Sequence, residues 1–194
     1  MDFAPNNPIN YDVSQTIALS PIWSYCGKSA RIWKCPADRS TVLANNVNVP
    51  RVRSVSMNGF VGGPTPENLT GITPGTWRTY VKMGQISNPS KNMGVLDERE
   101  DSINNAFFGM NMSGMPRGAV AANPNAWAFF DFPAFYHNRA AGIAFTDGHS
   151  EIHKWLDGRT MKPIGRTSII VLPGTPSANN PDVFWINDHA TQPP

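Results

Sequence analysis

Proline occurs 18 times and glycine 16 times in this chain of 194 residues, a density of breaks that leaves little room for long helices. Proline removes a backbone donor and clashes with the preceding turn, whereas glycine opens the left-handed conformations that turns require. The expected chain has short strands, short helices and many loops. Charged residues make up only 15% of it, and Asn, Ser, Thr, Gly and Pro fill the deficit. The apolar share of 40% is ordinary for a globular protein, and the length suffices for one hydrophobic core. No internal repeat or linker interrupts the sequence, so residues 1–194 read as a single domain.

Charge and hydropathy exclude several classes. The net charge is +2 and the basic residues are scattered, with Arg51 and Arg53 the nearest thing to a patch. A nucleic-acid binder would cluster its positive charge. No apolar run approaches the roughly 20 residues of a membrane helix. Residues 169–172, the best such run, read as a buried strand. Met1 opens a polar, Pro-rich stretch and not a signal peptide, so the chain is expected either to be cytoplasmic or to start after a removed leader.

Local patterns give a coarse map. Residues 14–19 and 28–33 suggest short helices, and residues 52–57 alternate like a strand. Residues 77–86 suggest a strand and turn, and residues 93–96 a short apolar strand. Residues 109–126 read as a long loop rich in Gly, Met, Asn and Ala. The clearest element is a hairpin: a strand over 142–146, a two-residue turn at Asp147-Gly148 and a return strand over 150–155. That register sets Ile143 and Phe145 on one face with Ser150 and Ile152, and Thr146, His149, Glu151 and His153 on the other. Residues 182–186 read as a final short strand.

Most catalytic signatures fail. Gly148-His149-Ser150-Glu151-Ile152 lacks the second glycine of a nucleophile elbow, and neighbouring strand residues His149 and Ser150 point to opposite faces. No glycine-rich phosphate loop occurs. Cys26 and Cys35 are too few for a zinc site by themselves, and they read either as two buried thiols or as a short-loop disulfide. Metal chemistry has two openings. His149, Glu151 and His153 alternate along one strand face, successive members about 7 Å apart, a spacing open both to a solvated polar face and to a metal-dependent hydrolase site. Asp97, Glu98, Asp101 and Asn104 offer oxygen donors for calcium near a strand end, or form a solvated acidic turn. Trp23, Trp77, Trp127 and Trp155 could stack on sugars, though a core role is simpler.

One motif suggests a family. Nine residues, 138–146, separate His137 from Asp147-Gly148. Three further blocks accompany it: residues 32–40 around Cys35-Pro36-Ala37-Asp38, residues 52–59 ending in Met57-Asn58-Gly59, and residues 95–104 around Leu96-Asp97-Glu98. In this order they resemble the prepilin-type H-X9-DG domain proteins of Verrucomicrobia and Planctomycetes, relatives of type II secretion pseudopilins and type IV pilins. The resemblance implies an α+β head with a twisted antiparallel sheet, export to the periplasm or cell surface, and docking onto sister pilin-like subunits or secretion-system components. It implies a Cys26–Cys35 disulfide and raises the idea of calcium. Such proteins usually begin with a prepilin peptidase site and a hydrophobic helix, and neither is present in residues 1–194.

Within the motif, Asp147-Gly148 is expected to form the hairpin turn. His137 is expected to reach back to Asp147 and pin loop to turn, with a metal shared through Asp147 as the competing reading. The leading expectation is a structural head without a catalytic centre. The alternatives are a secreted calcium-dependent hydrolase of a carbohydrate or lactone, working through His149, Glu151 and His153, and a carbohydrate-binding module.

Overall fold

A computed structural model describes residues 4–62, 76–165 and 174–193. The prolines and glycines divide these residues into strands of two to six residues, single turns of 3-10 helix and one α-helix. The fold is α+β. A hairpin of β1 (Thr41–Ala44) and β2 (Val47–Pro50) stands apart from the main sheet. That sheet contains β3 (Val55–Asn58), β4 (Met93–Asp97), β5 (Phe107–Phe108), β7 (Ala140–Phe145) and β8 (Ser150–Lys154), in the order β5-β3-β4-β7-β8. Its strands pair antiparallel except where β5 runs parallel to β3. A small third sheet joins β6 (Ala128–Phe129) to β9 (Thr175–Pro176).

The core lies on one face of the main sheet. Leu96, Ile143 and Phe145 project from the strands into an aromatic cluster that includes Phe60, Phe132 and Trp155. The loop over residues 109–126 is not a free excursion, since Met110, Met112 and Met115 are all buried in this cluster. Methionine suits such a loop because its flexible side chain fills irregular gaps. The expected helices at 14–19 and 28–33 are present only as 3-10 turns, Val13–Gln15, Ile17–Leu19 and Ala30–Trp33. The strand expected within residues 77–86 is a single bridge, Val61 to Tyr80, followed by a 3-10 turn at Met83–Gln85. The strand expected at 169–172 lies outside the described residues.

Two expectations are corrected. Residues 182–186 are not a strand but lie within the α-helix α1 (Pro181–Asp188). The Asn180 side chain accepts from the Asp182 amide, Pro181 stands at the first helical position, and Asp182 complements the positive end of the helix. The second correction concerns the hairpin. Its loop is Thr146-Asp147-Gly148, one residue longer than expected, with Gly148 N–H donating to Phe145 O (3.0 Å) and Phe145 N–H to His149 O (2.9 Å). Gly148 takes φ of +95°, which suits a bulged three-residue loop. The extra residue shifts the register by one and exchanges the faces of β8. Glu151 now pairs with Ile143 and His153 with Ala141, on the core side, while Ile152 pairs with Gly142 on the other side.

Among the described residues, no helix is long and apolar enough to cross a membrane.

Candidate metal centre where the sequence blocks meet

The α-helix α1 covers part of the core face and decides the fate of the expected histidine face. Trp185 stacks between two imidazoles, His153 at 3.7 Å and His189 at 4.0 Å between ring centroids. His149 stacks on Phe145 at 4.3 Å and bonds through Nδ1 to Asp147 Oδ1 at 2.6 Å. The Glu151 carboxylate lies 3.4 Å from His153 Nδ1. His149 is held by Phe145 and Asp147, apart from the Glu151–His153 pair, and among the described residues the three do not form a convergent donor set. Trp77, Trp127 and Trp155 are buried, so none of the three offers an open ring for sugar stacking; Trp23 is half-buried.

The pin between His137 and Asp147 does not form. Asp147 is occupied by His149, whose side-chain hydrogen bond lowers the Asp147 pKa. His137 turns instead toward β4. Asn138 and Arg139 both take positive φ in a tight turn, and the His137 N–H donates to Ala140 O at 3.1 Å. This aims His137 Nε2 at Asp97 Oδ2, 3.4 Å away, and at Cys35 Sγ, 3.3 Å away.

Cys26 and Cys35 are both free thiols, which corrects the expected disulfide. The physical reason is the setting of Cys35. Its N–H donates to Ser54 Oγ at 2.7 Å, and its Sγ faces His137. Cys26 closes a separate 3-10 turn, Trp23–Cys26, that ends in a left-handed Gly27.

The acidic run is not a solvated turn, and its carboxylates do not share a calcium cage. Residues 97 to 101 are all buried, and each carboxylate has its own partner. Asp97 accepts from Gly142 N–H at 3.0 Å. Glu98 takes a hydrogen bond from Ser56. Glu100 takes one from Tyr136 OH at 2.9 Å, and Asp101 pairs with Arg99 and with Gly165 N–H. Asn104 is exposed. Asp147 lies at the far end of β7 in the hairpin loop. Calcium wants six to eight oxygens around one point, and Asp97, Glu98, Asp101 and Asp147 supply no such point.

One donor set does converge among the described residues: Cys35, Asp97 and His137, with all three ligand atoms within 4.8 Å of one another. Burial is the leading cause raising both the Cys35 and the Asp97 pKa. Gly142 permits the arrangement, because a Cβ there would stand 2.9 Å from Asp97 Oδ2. Sequence reasoning named all three residues but did not join them. The available signal was that the blocks at 32–40, 95–104 and 137–148 each contribute one metal-ligating side chain to this spot.

Asp97 also marks one end of the sheet's outer face. Val55, Met57, Val95, Ala144 and Ile152 line that face, with Ser150 and Lys154 flanking Ile152 on β8 and Ile32 at the margin. Ile152 is 61% exposed and Ile32 57%. Between them runs an open groove of about 400 Å³.

Comparison with protein-family models, curated proteins and solved structures gives no match to this chain.

Proposed function

We propose that this chain is the exported head of a pseudopilin-like structural protein and that the outer sheet face is its docking surface. The observation carrying this reading is the run of apolar residues across that face. Met57, Val95, Ala144 and Ile152 project from four strands with no element of the described chain laid over Ile152, which is 61% exposed. Singly exposed apolar residues are common, but a contiguous apolar strip on a sheet marks an interaction surface. The occupant is an apolar helix of a pilin-like assembly, laid along the strands. The four sequence blocks, which resemble those of H-X9-DG proteins, support the same reading.

A hydrolase reading has less support, because the His149, Glu151 and His153 face is stacked and paired. A carbohydrate-binding reading has less because Trp77, Trp127 and Trp155 are buried.

Met57→Lys and Ile152→Lys test the reading. Both sites are at the surface, so each change is expected to alter unfolding free energy by no more than about 0.5 kcal/mol. Each is expected to abolish co-sedimentation of the chain with pilin-like subunits from the cells that make it. Unchanged co-sedimentation of folded variants, or turnover of a carbohydrate or lactone by the unmodified chain, would contradict the reading.

A further inference from the structure

The geometry points to a further site: Cys35, Asp97 and His137 bind one borderline divalent transition-metal ion of the zinc class, through a thiolate, a carboxylate and an imidazole. The inference stands apart from the docking role, since it rests on different residues.

The distances carry the argument. Zinc bonds of roughly 2.0–2.3 Å to N, O and S donors in tetrahedral array put neighbouring ligand atoms roughly 3.4–3.6 Å apart. His137 Nε2 lies 3.3 Å from Cys35 Sγ and 3.4 Å from Asp97 Oδ2. Two of the three donor separations are thus already close to those of a shared ion, and all three donor atoms lie within 4.8 Å of one another.

The alternative chemistry for these residue types is a nucleophilic relay. A relay needs the thiol on one imidazole nitrogen and the orienting carboxylate on the other. Here both approach the same nitrogen, Nε2. One ring nitrogen cannot take a proton from the thiol while bonded to the carboxylate, whereas three donor atoms gathered within 4.8 Å of one another suit a cation.

The donor set also selects the ion. A thiolate and an imidazole favour zinc-class ions over calcium or magnesium, which prefer oxygen. As the S–metal bond forms, the Cys35 S–H bond breaks and the proton leaves to solvent, so affinity falls as pH falls. The carboxylate is held in place by Gly142 N–H (3.0 Å), and Cys35 is anchored through Ser54. These bonds orient the ligands as outer-shell contacts do in metal sites. Three protein ligands leave a fourth position for water. His137 is 35% exposed at its side chain, which gives an ion an entry path.

The ion would tie three distant segments together: the turn after residue 33, the end of β4 and the turn before β7. That predicts stabilisation. At a hundredfold excess over its Kd, a ligand bound only by the folded state raises the melting midpoint of a chain this size by roughly 5–10 °C.

The test uses the reduced, chelator-treated chain carrying Cys26→Ser, so that Cys35 is its only thiol. Titration with Zn²⁺ is expected to show one equivalent bound and the midpoint raised. Co²⁺ is expected to give a thiolate-to-metal charge-transfer band. Zn²⁺ is expected to slow alkylation of Cys35 at least tenfold, a readout that needs no further substitution. Adding Cys35→Ser or His137→Gln is expected to abolish stoichiometric binding in chains whose circular dichroism is unchanged. Absence of a one-to-one complex, a Co²⁺ complex without the thiolate band, or alkylation unaffected by Zn²⁺ would each overturn the inference.

Discussion

Glu98 and Asp131 are buried carboxyl groups that act on one another, and together they set a pH response. Burial is the main cause raising both; the Asp131 charge adds to the rise at Glu98. Asp131 is pushed from 3.8 to about 7, even though Gly109 N–H favours its ionised form. The folded state therefore holds the Asp131 proton more tightly than the unfolded state does. Between pH values of about 4 and 7 the unfolded state binds fewer protons, and stability contributed by this group falls as pH rises. Asp131→Asn keeps an oxygen for Gly109 N–H and removes the buried charge. It is expected to stabilise the chain by roughly 1–3 kcal/mol at pH 8 and much less at pH 4, in denaturant unfolding at both values. An equal effect at both values would contradict this account of Asp131.

At the scale of elements, α1 is held by a sandwich of aromatic rings. His153 reaches it from β8, Trp185 comes from the helix, and His189 follows the helix end. Burial lowers the pKa of both histidines from 6.5. Glu151 and Asp182 work against that shift at His153, as do Trp185 O and Asp188 at His189, while Lys91 and His153 add to it at His189. The unfolded state binds these protons more readily, so their contribution to stability is lost as pH falls below about 6.5. Trp185 emission is expected to shift between pH 7 and pH 5 ahead of global unfolding, and His153→Gln with His189→Gln is expected to remove the shift. A shift that survives the double substitution would place its origin elsewhere.

The same elements show what local sequence could and could not reveal. The strands at 93–96, 142–146 and 150–155 were legible because alternation and turn residues act over a few positions. The loop at Asp147-Gly148 was legible as a turn but not in length. Asp-Gly serves both a two-residue turn and a bulged three-residue turn, and one residue of difference exchanged the faces of β8. The helix α1 was missed because a run of Val183, Phe184, Trp185 and Ile186 suits a strand, and the signal lay just outside it, in Asn180, Pro181 and Asp182.

At the scale of the whole molecule, the sequence blocks acquire a physical meaning that spacing alone does not provide. Sequence alone pairs His137 with Asp147 because both belong to the motif. The fold separates them, giving Asp147 to His149 and His137 to Asp97 and Cys35. Contacts between residues 35, 97 and 137 depend on the order of β3, β4 and β7 in the sheet, which no local pattern encodes. The burial of Asp97 to Asp101 was hidden for the same reason. An acidic run reads as solvated until Arg51, Arg53 and Arg99 are found buried beside it.

The outer face of the sheet joins these features to the proposed role, since Asp97 stands at one end of the strip that Ile152 exposes. Placing a photo-crosslinking phenylalanine derivative at Ile152 in the cells that make the protein tests that role most directly. Lys91, which pairs with Asp188 on the helix side, serves as the control position. The account predicts adducts from Ile152, but not from Lys91, in which mass spectrometry finds an apolar helical segment of a pilin-like subunit. No adduct from Ile152, or the same adducts from both positions, would contradict it.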